Sequence, residues 1–382
     1  MPRIVHLTSA HPRYDTRIFI KQCRTLAAHG HEVTLIVADG RGDEIRDGVR
    51  IVDAGRAASP NRLRRMLVTT RRIAARALAL EPDLVQLHDP ELLPAGLRLQ
   101  HAGVQVVFDA HEDVPTQLLD KPYLPPGVAR LLAGAYAAYE RYACARLNGV
   151  LAATPHIRER LGRYNPRTVT VANYPVPDEF MPSTMGEDRG ASAPRVCYVG
   201  SISAIRGIRQ LVQACARLRS PTTLTLAGGF SESALQAEVA ALPGWSRIDA
   251  LGHLDRAGVA AVMRRACAGL VTLLPTASYR EALPVKMFEY MAAGIPVIAS
   301  DFPRWRAIIE GNDCGLCVDP HDPGAIAAAI DRLALDPDLA AKMGANGRLA
   351  VERYYNWRHE ARTLIAFYAD LSNRPLAQQM AI

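Results

Sequence analysis

The stretch "RVCYVGSISAIRG", residues Arg195–Gly207, is a short apolar run that breaks at a glycine and then enters a helical pattern. It reads as strand, turn and helix start. A strand apolar on both faces and followed by a helix belongs to a parallel sheet covered on two sides. Working outward, the same alternation continues C-terminally through strands at Thr222–Ala227, Arg247–Ala250, Gly269–Leu273 and Pro296–Ala299. From about Pro337 the chain reads as mostly helical. N-terminally, strands are expected at Arg3–Thr8, Glu32–Val37, Asp83–His88, Val104–Asp109, Gly149–Ala153 and Thr168–Ala172. Helices such as Arg17–His29 and Val128–Leu147 fall between them. The alternation breaks only at Pro175–Pro194, which is rich in Pro, Gly and Ser and has no period, so it reads as a linker. The expected organisation is an α/β chain of two doubly wound, Rossmann-like domains facing across a cleft. Their bounds are residues 1–178 and 195–357, with a linker at 179–194 and a C-terminal helix at about 358–382 that packs back on the first domain.

Length and composition agree. The chain has 382 residues, enough for two cores, and its 49% hydrophobic and 22% charged residues suit a globular enzyme. Neither a membrane-length apolar run nor the apolar region of a leader is visible, which predicts a cytoplasmic protein. Seven scattered cysteines do not form a disulfide framework, and Cys314 and Cys317, the one CxxC pair, read as a turn into strand Leu316–Val318. The net charge is +7, and only four of the 45 basic residues are lysine. Such a surface favours phosphates, nucleic acid or anionic lipid.

In doubly wound sheets ligands bind beyond the carboxyl ends of the strands. After Val199, Gly200 lets backbone approach a ligand, Ser201 follows it in the same turn, and the helix start beyond favours an anion. Arg206 offers a forked pair of donors to phosphate; the alternative is a plain strand–helix turn with a solvated arginine. The segment "EALPVKMFEYMAAGIPVIASD", Glu281–Asp301, places Glu281 in a loop, Lys286 in the first turn of a short helix and Glu289 within it. Backbone N–H groups at Leu283, Val285 and Lys286 suit a diphosphate, although Pro284 contributes none. Glu289 can accept from two hydroxyls at once, as a ribose diol offers, and it sits among Met287, Phe288, Tyr290 and Met291, where a merely decorative carboxylate is awkward.

These residues resemble the signature of family 4 glycosyltransferases of the GT-B fold: two glutamates separated by seven residues, then "EYMAAGIPVIASD". "HPRYDTRIFIKQCRTLAAHGHEV", "VVFDAHEDVP", "YVGSISAIRG" and "CGLCVDPHDPGAIAAAI" match in order and spacing, so the resemblance spans most of the chain. It implies transfer of a hexose-type sugar from a nucleotide-diphosphate donor, UDP- or GDP-linked, to a polysaccharide or lipid-linked saccharide, with retention. By the same resemblance Glu289 binds the donor ribose and Glu281 lies near the transferred sugar. Arg206 occupies the usual lysine position at the diphosphate, His253 and Leu254 face the base, and Gly228 begins the glycine turn beside the donor. Two departures stand out. Ser201 replaces a common phosphate-binding arginine, and Lys286 replaces an apolar residue; Lys286 is expected to supply the missing cation.

On the acceptor side, Asp89 follows one strand, and His111, Glu112 and Asp113 follow the next, at strand ends that face the cleft. His111 reads either as an ordered loop histidine or as a functional one. The resemblance makes it the histidine that touches the transferring sugar, a catalytic candidate together with Glu281. His11, Asp15 and Arg17 follow the first strand and cap the cleft, and Asn173 ends the last strand of the first domain, as a seam residue or a turn asparagine. Asp-x-Asp in a loop after a central strand is missing, and Asp336-Pro-Asp338 fits a helix start. No metal or other cofactor is therefore expected; cations and helix N-termini stabilise the departing diphosphate.

Between Ala54 and Leu80 there are seven arginines (Arg56, Arg62, Arg64, Arg65, Arg71, Arg72 and Arg76) and no acidic residue. At 100° per residue Leu63, Met66, Leu67, Ile73, Ala77 and Leu78 share one side. This basic helix at 56–80 is either an ordinary surface helix or a contact with an anionic membrane, joined by Leu118–Val128. A nucleotide-sugar epimerase is the competing enzyme reading. A nicotinamide oxidoreductase would need a G-x-G-x-x-G turn, which neither half has. Nucleic acid is not an expected partner, because aromatic residues are only 6% and do not interleave with the basic run.

Overall fold

The computed structural model describes residues 2–56, 65–121, 123–180 and 193–372. It divides into two compact units, one of residues 1–173 with 357–382, the other Tyr174–Asn356.

The first unit holds an eight-stranded sheet of β1 (Arg3–Leu7), β2 (Glu32–Val37), β3 (Glu44–Arg46), β4 (Val49–Asp53), β5 (Leu84–Leu87), β6 (Gln105–Ala110), β7 (Gly149–Ala152) and β8 (Thr168–Thr170). The spatial order is β3-β4-β2-β1-β5-β6-β7-β8, and all pairs are parallel except β3 with β4. That hairpin was not among the expected strands. Its Asp47-Gly48 turn carries the dipeptide favoured in hairpins, but Glu44-Ile45-Arg46 is a polar edge without an apolar run. The parallel strands are buried almost throughout and pack on Ile73, Ala77, Leu92, Leu93, Leu99 and Ile157. The helix Trp357–Ser372 also packs in this unit: Trp357 Nε1 donates to Thr25 Oγ1 at 2.9 Å, and Glu360 accepts from the backbone N–H of Ala172 at 2.6 Å.

The second unit is a six-stranded, all-parallel sheet of β9 (Arg195–Val199), β10 (Thr223–Ala227), β11 (Ile248–Gly252), β12 (Ala268–Val271), β13 (Val297–Ser300) and β14 (Gly315–Val318), in the order β11-β10-β9-β12-β13-β14. One face is filled by Trp305, Phe288, Tyr290 and Met291, the other by Leu211, Val212, Ile326 and Ile330. The expected linker starts later than read. Tyr174 stacks edge-on against Phe288 and Tyr355, Phe180 is buried in this unit's core, and Glu179 pairs with Arg256. An apolar or charged side chain with such partners anchors its backbone, whatever the Pro and Gly content around it. Residues 181–192, the rest of the linker, lie outside the described residues. Asp336 caps the helix Pro337–Arg353, accepting from Leu339 N at 2.9 Å, as a helix start requires.

Both sheets reverse strand order at one point, β1/β5 in the first unit and β9/β12 in the second. The loops at those switch points are where a doubly wound sheet receives a ligand.

Candidate functional site

In the second unit, the loop after β9 is fixed by its neighbours before any ligand arrives. Gly200 N donates to Ala227 O at 2.8 Å, and Ile202 N to Gly229 O at 2.9 Å. The approach is so close that a methyl on Gly228 would meet Gly200 O at 2.0 Å, and Gly200 itself sits at φ +111°. Only glycine fits both places. Tyr198 OH and Arg206 Nη1 both donate to the Ser201 carbonyl, at 2.9 and 3.1 Å. Arg206 is thereby turned back over the glycine turn.

The helix Val285–Ala292 brings the second cation. Met287, Phe288, Tyr290 and Met291 bury one side of it, and Lys286 and Glu289, three residues apart, share another. Lys286 Nζ lies 3.7 Å from the centre of the Tyr198 ring, an ammonium over a π face. A methyl on Gly200 would lie 3.3 Å from Lys286 Nζ and 4.0 Å from Arg206 Nη1. The two cations therefore converge on one glycine. Burial, and after it the charge of Arg206, pushes the Lys286 ammonium down to about 7. Its Nζ is buried without a hydrogen-bond partner among the described residues.

Glu289 is buried and accepts from Arg256 Nη1 at 2.9 Å. Arg256 also donates to Glu179, through Nη2 at 2.5 Å and through Nε, and lies 5.1 Å over the Phe180 ring. Sequence reading missed Arg256 and Tyr198. Arg256 is the first residue of the helix capped by Asp255, directly after the His253-Leu254 loop, and that position was the available signal. His253 is exposed, and Leu254 and Leu283 are half-buried against the core; Val285 is half-buried at the helix start. Glu281 pairs with Arg304 at 3.1 Å, and Trp305 Nε1 holds the Ala282 carbonyl at 2.8 Å, fixing the loop between the two glutamates. The structure thus brings together Gly200, Ser201, Arg206, Gly228 and Lys286, with Glu289 on the same helix. Glu281 ends the helix Ala277–Glu281 rather than standing in a loop, and His253 follows β11.

In the first unit, Asp89 organises the switch point. It is buried and accepts from Ser9 N at 2.5 Å, Thr8 Oγ1 at 2.9 Å and His11 Nδ1 at 2.9 Å. Burial opposes ionisation, but these donors, His11 foremost, hold its carboxyl well below the usual range. Burial likewise works against the His11 cation, yet the Asp89 bond, with Asp15 and Glu112 nearby, raises it to about 8. His11 meets His111 edge-on with ring centres 5.0 Å apart. Burial, with Arg17 and His11 adding to it, lowers the pKa of His111, whose Nδ1 lies 3.1 Å from the Asp109 carbonyl. Glu112 is exposed beside it.

Four of the expected cleft residues are engaged inside the unit. Asp15 accepts from Arg17 N and Ile18 N at 2.8 and 2.9 Å, capping the π-helical segment Thr16–Cys23. Arg17 is buried against Asp109, with Nη2 2.5 Å from Oδ1, and its Nη1 donates to Val171 O at 2.9 Å. Asn173 Oδ1 accepts from Lys21 Nζ at 2.6 Å. Asp113 turns towards His156 and Arg160, at 3.3 and 3.4 Å. A polar residue just past a strand can point inward as readily as outward, and these four point to protein partners.

The basic stretch also differs from its expected form. Arg65–Thr69 is π-helical and Thr70–Leu78 α-helical. The wider π turn breaks the 100° phase. Ile73 and Ala77 are buried, whereas Met66, Leu67 and Leu78 are exposed. Arg72 donates to the Arg56 carbonyl at 2.7 Å. Leu63, Arg62 and Arg64 lie outside the described residues. Among those described, no helix is long and apolar enough to cross a membrane, and no three His, Cys, Asp or Glu side chains group to hold a metal ion.

Comparison with known proteins agrees with this architecture. Residues 188–350 match Glycosyl transferases group 1, and residues 17–180 match Glycosyltransferase Family 4. The chain is 27% identical to an alpha-maltose-1-phosphate synthase of Mycolicibacterium smegmatis over 71% of its own length and 74% of that protein. It also matches D-inositol 3-phosphate glycosyltransferases, over less than half of their length. In fold it is similar to sucrose-phosphate synthase from Thermosynechococcus elongatus, with a TM-score of 0.80 and 21% identity, over 97% of this chain and 99% of that one. It is likewise similar to Anabaena HepE in complex with UDP-glucose, with a TM-score of 0.75 and 14% identity, over 97% of this chain and 100% of that one.

Proposed function

The chain belongs to glycosyltransferase family 4 with the GT-B fold, and on that premise we propose that it moves a hexose-type sugar from a nucleotide-diphosphate sugar, UDP- or GDP-linked, to a saccharide or lipid-linked acceptor. The observation that carries the donor assignment is the convergence of Arg206 and Lys286 on Gly200, a glycine turn with two cations and no paired carboxylate. A diphosphate supplies the charge that such a place lacks. Glu289, oriented by Arg256, accepts from the ribose hydroxyls, and His253 and Leu254 flank the base. The UDP-glucose held by a protein of the same fold favours a uridine donor.

The chemistry follows from charge. Departure of the diphosphate concentrates negative charge on its oxygens, and fixed cations aimed there lower the barrier. Arg206 and Lys286 take that role without a metal ion, and the reaction proceeds with retention. Glu281, at the end of the helix Ala277–Glu281, contacts hydroxyls of the transferred sugar. In the first unit His111, kept neutral by burial and by the positive charge of Arg17 and His11, is the candidate to hydrogen-bond a sugar hydroxyl. On the acceptor unit, exposed Leu119, Tyr123, Val128 and Leu131 lie in and beside the stretch read as a companion to the basic helix, which supports a peripheral contact with anionic lipid during surface-polysaccharide assembly.

The deciding experiment is a turnover assay with labelled UDP- and GDP-sugars in the presence of EDTA, with lipid-linked and soluble saccharides as acceptors. Label in a glycosidic product establishes transfer. Isomerised donor without transfer would replace this reading with the epimerase one. Recovery on anionic but not neutral vesicles in a flotation assay supports the lipid contact, and equal recovery removes it.

A further inference from the structure

Lys286 is a buried basic side chain without a counter-ion. Its Nζ is buried and lacks a hydrogen-bond partner, and none of the described carboxylates forms an ion pair with it. From β9 it is faced by Tyr198, at 3.7 Å, and by the Cys197 thiol, which is itself hydrogen-bonded to Tyr290; from the loop after β9 by the Arg206 guanidinium; and from its own helix by Glu289. Glu289 would be the natural partner, but Arg256 holds its Oε1. A charged lysine in such surroundings pays for desolvation and for the repulsion of Arg206 with only the Tyr198 ring in return.

Resting on the donor assignment above, we propose that Lys286 binds the nucleotide diphosphate as an ammonium formed on binding, so that the site takes up a proton from solvent with each diphosphate at mildly alkaline pH. In the ligand-free protein, burial and Arg206 already bring the group to about 7, so that above neutrality it is mostly an amine. A diphosphate placed over Gly200, between Lys286 and Arg206, reverses the balance, because its charge favours the protonated form and answers Arg206 as well. The proton passes from water or buffer to Nζ, and no covalent bond changes. The consequence reaches the reaction. The free diphosphate left after transfer carries more charge than the sugar ester, so the proton is held more firmly as the donor bond breaks.

Isothermal titration of the full chain with UDP and with GDP, in two buffers of different ionisation enthalpy, counts the protons directly. At about pH 8 the diphosphate is fully ionised, so uptake reports on the protein, and about 0.9 proton per nucleotide is expected, falling to about half at pH 7. Between about pH 7.5 and 9 the dissociation constant should rise close to tenfold per pH unit. Lys286→Met should abolish the uptake and weaken binding by about 10- to 100-fold. Lys286→Arg, whose guanidinium does not titrate, should keep binding and lose the uptake. Tight binding without uptake by the unaltered protein, or uptake that persists in Lys286→Arg, overturns the inference and leaves the donor assignment intact. If neither nucleotide binds, the donor assignment falls and the inference falls with it.

Discussion

The two units carry buried charge at the same topological place and treat it in opposite ways. Near β1 and β5, Arg17 lies against Asp109, whose carboxylate also takes Gln22 Nε2 at 2.9 Å and His88 Nδ1 at 3.0 Å. Asp89 is equally saturated, by Ser9, Thr8 and His11. Near β9 and β12, Lys286 and Arg206 stand close together with a tyrosine face and a carbonyl for company. A folded chain supplies every buried charge with a partner unless something else is going to. The first arrangement is complete in itself and serves the structure. The second is complete only with an anion present.

The largest effect should come from breaking the complete arrangement. Arg17→Met leaves Asp109 ionised, fully buried and short of its main partner, at a cost of about 3–5 kcal/mol. Urea unfolding followed by circular dichroism would register the loss. A variant as stable as the parent would mean that the pairing of Arg17 is incidental and that the contrast between the units is empty. Next in size is Arg206→Met, which should cost about 1.5–3 kcal/mol of donor recognition, or about 10- to 150-fold in kcat/KM for the donor. Its unfolding midpoint should move little, because the partners of Arg206 among the described residues, the Ser201 carbonyl and the Tyr198 and Tyr279 hydroxyls, are neutral and leave no buried charge behind.

Lys286→Met should have the reverse signature and a smaller size. A lysine whose folded pKa lies below its unfolded value destabilises the protein in full below the folded pKa, and the penalty fades as pH rises towards the unfolded value. The ligand-free variant should therefore melt above the parent near neutral pH, by about 2–4 °C for each kcal/mol recovered, and the gap should narrow towards pH 9. A lower melting temperature at neutral pH would mean that Lys286 has a partner in the resting protein.

The parallel strands were legible because β-branched runs buried on both faces allow few alternatives. β3 escaped because a polar edge strand carries no such pattern. Lys286 announced itself by standing in an apolar helix beside Glu289. Arg256 did not, because its bond to Glu289 joins residues 33 apart on different elements, and no local pattern records such a pairing. Arg17 and Asn173 were placed at the right strand ends but with the wrong partners. Sequence tells which loop a polar residue occupies; whether it turns towards solvent or towards Asp109 or Lys21 is decided by side chains brought in from elsewhere in the chain.

The subtlest test concerns the two histidines of the first unit. His11 titrates near about 8 because Asp89, Asp15 and Glu112 together outweigh its burial, whereas His111, edge-on to it, is lowered. Around neutral pH one ring is therefore charged and its neighbour is not. A raised folded pKa means that His11 stabilises the unit fully below the ordinary histidine value, and that this contribution disappears as pH rises through 8. Asp89→Asn keeps the shape of the side chain and removes its charge. Burial then acts on His11 unopposed by its strongest partner, and its pKa should fall below the ordinary value. With the His11 charge gone, His111 should titrate higher than before. Proton NMR of the two imidazoles across pH 5–9 would follow both movements in one sample. If His11 kept its value near 8 in the variant, the carboxylate that matters would be Asp15 or Glu112, and the first unit would be less self-contained at its switch point than the saturation of Asp89 implies.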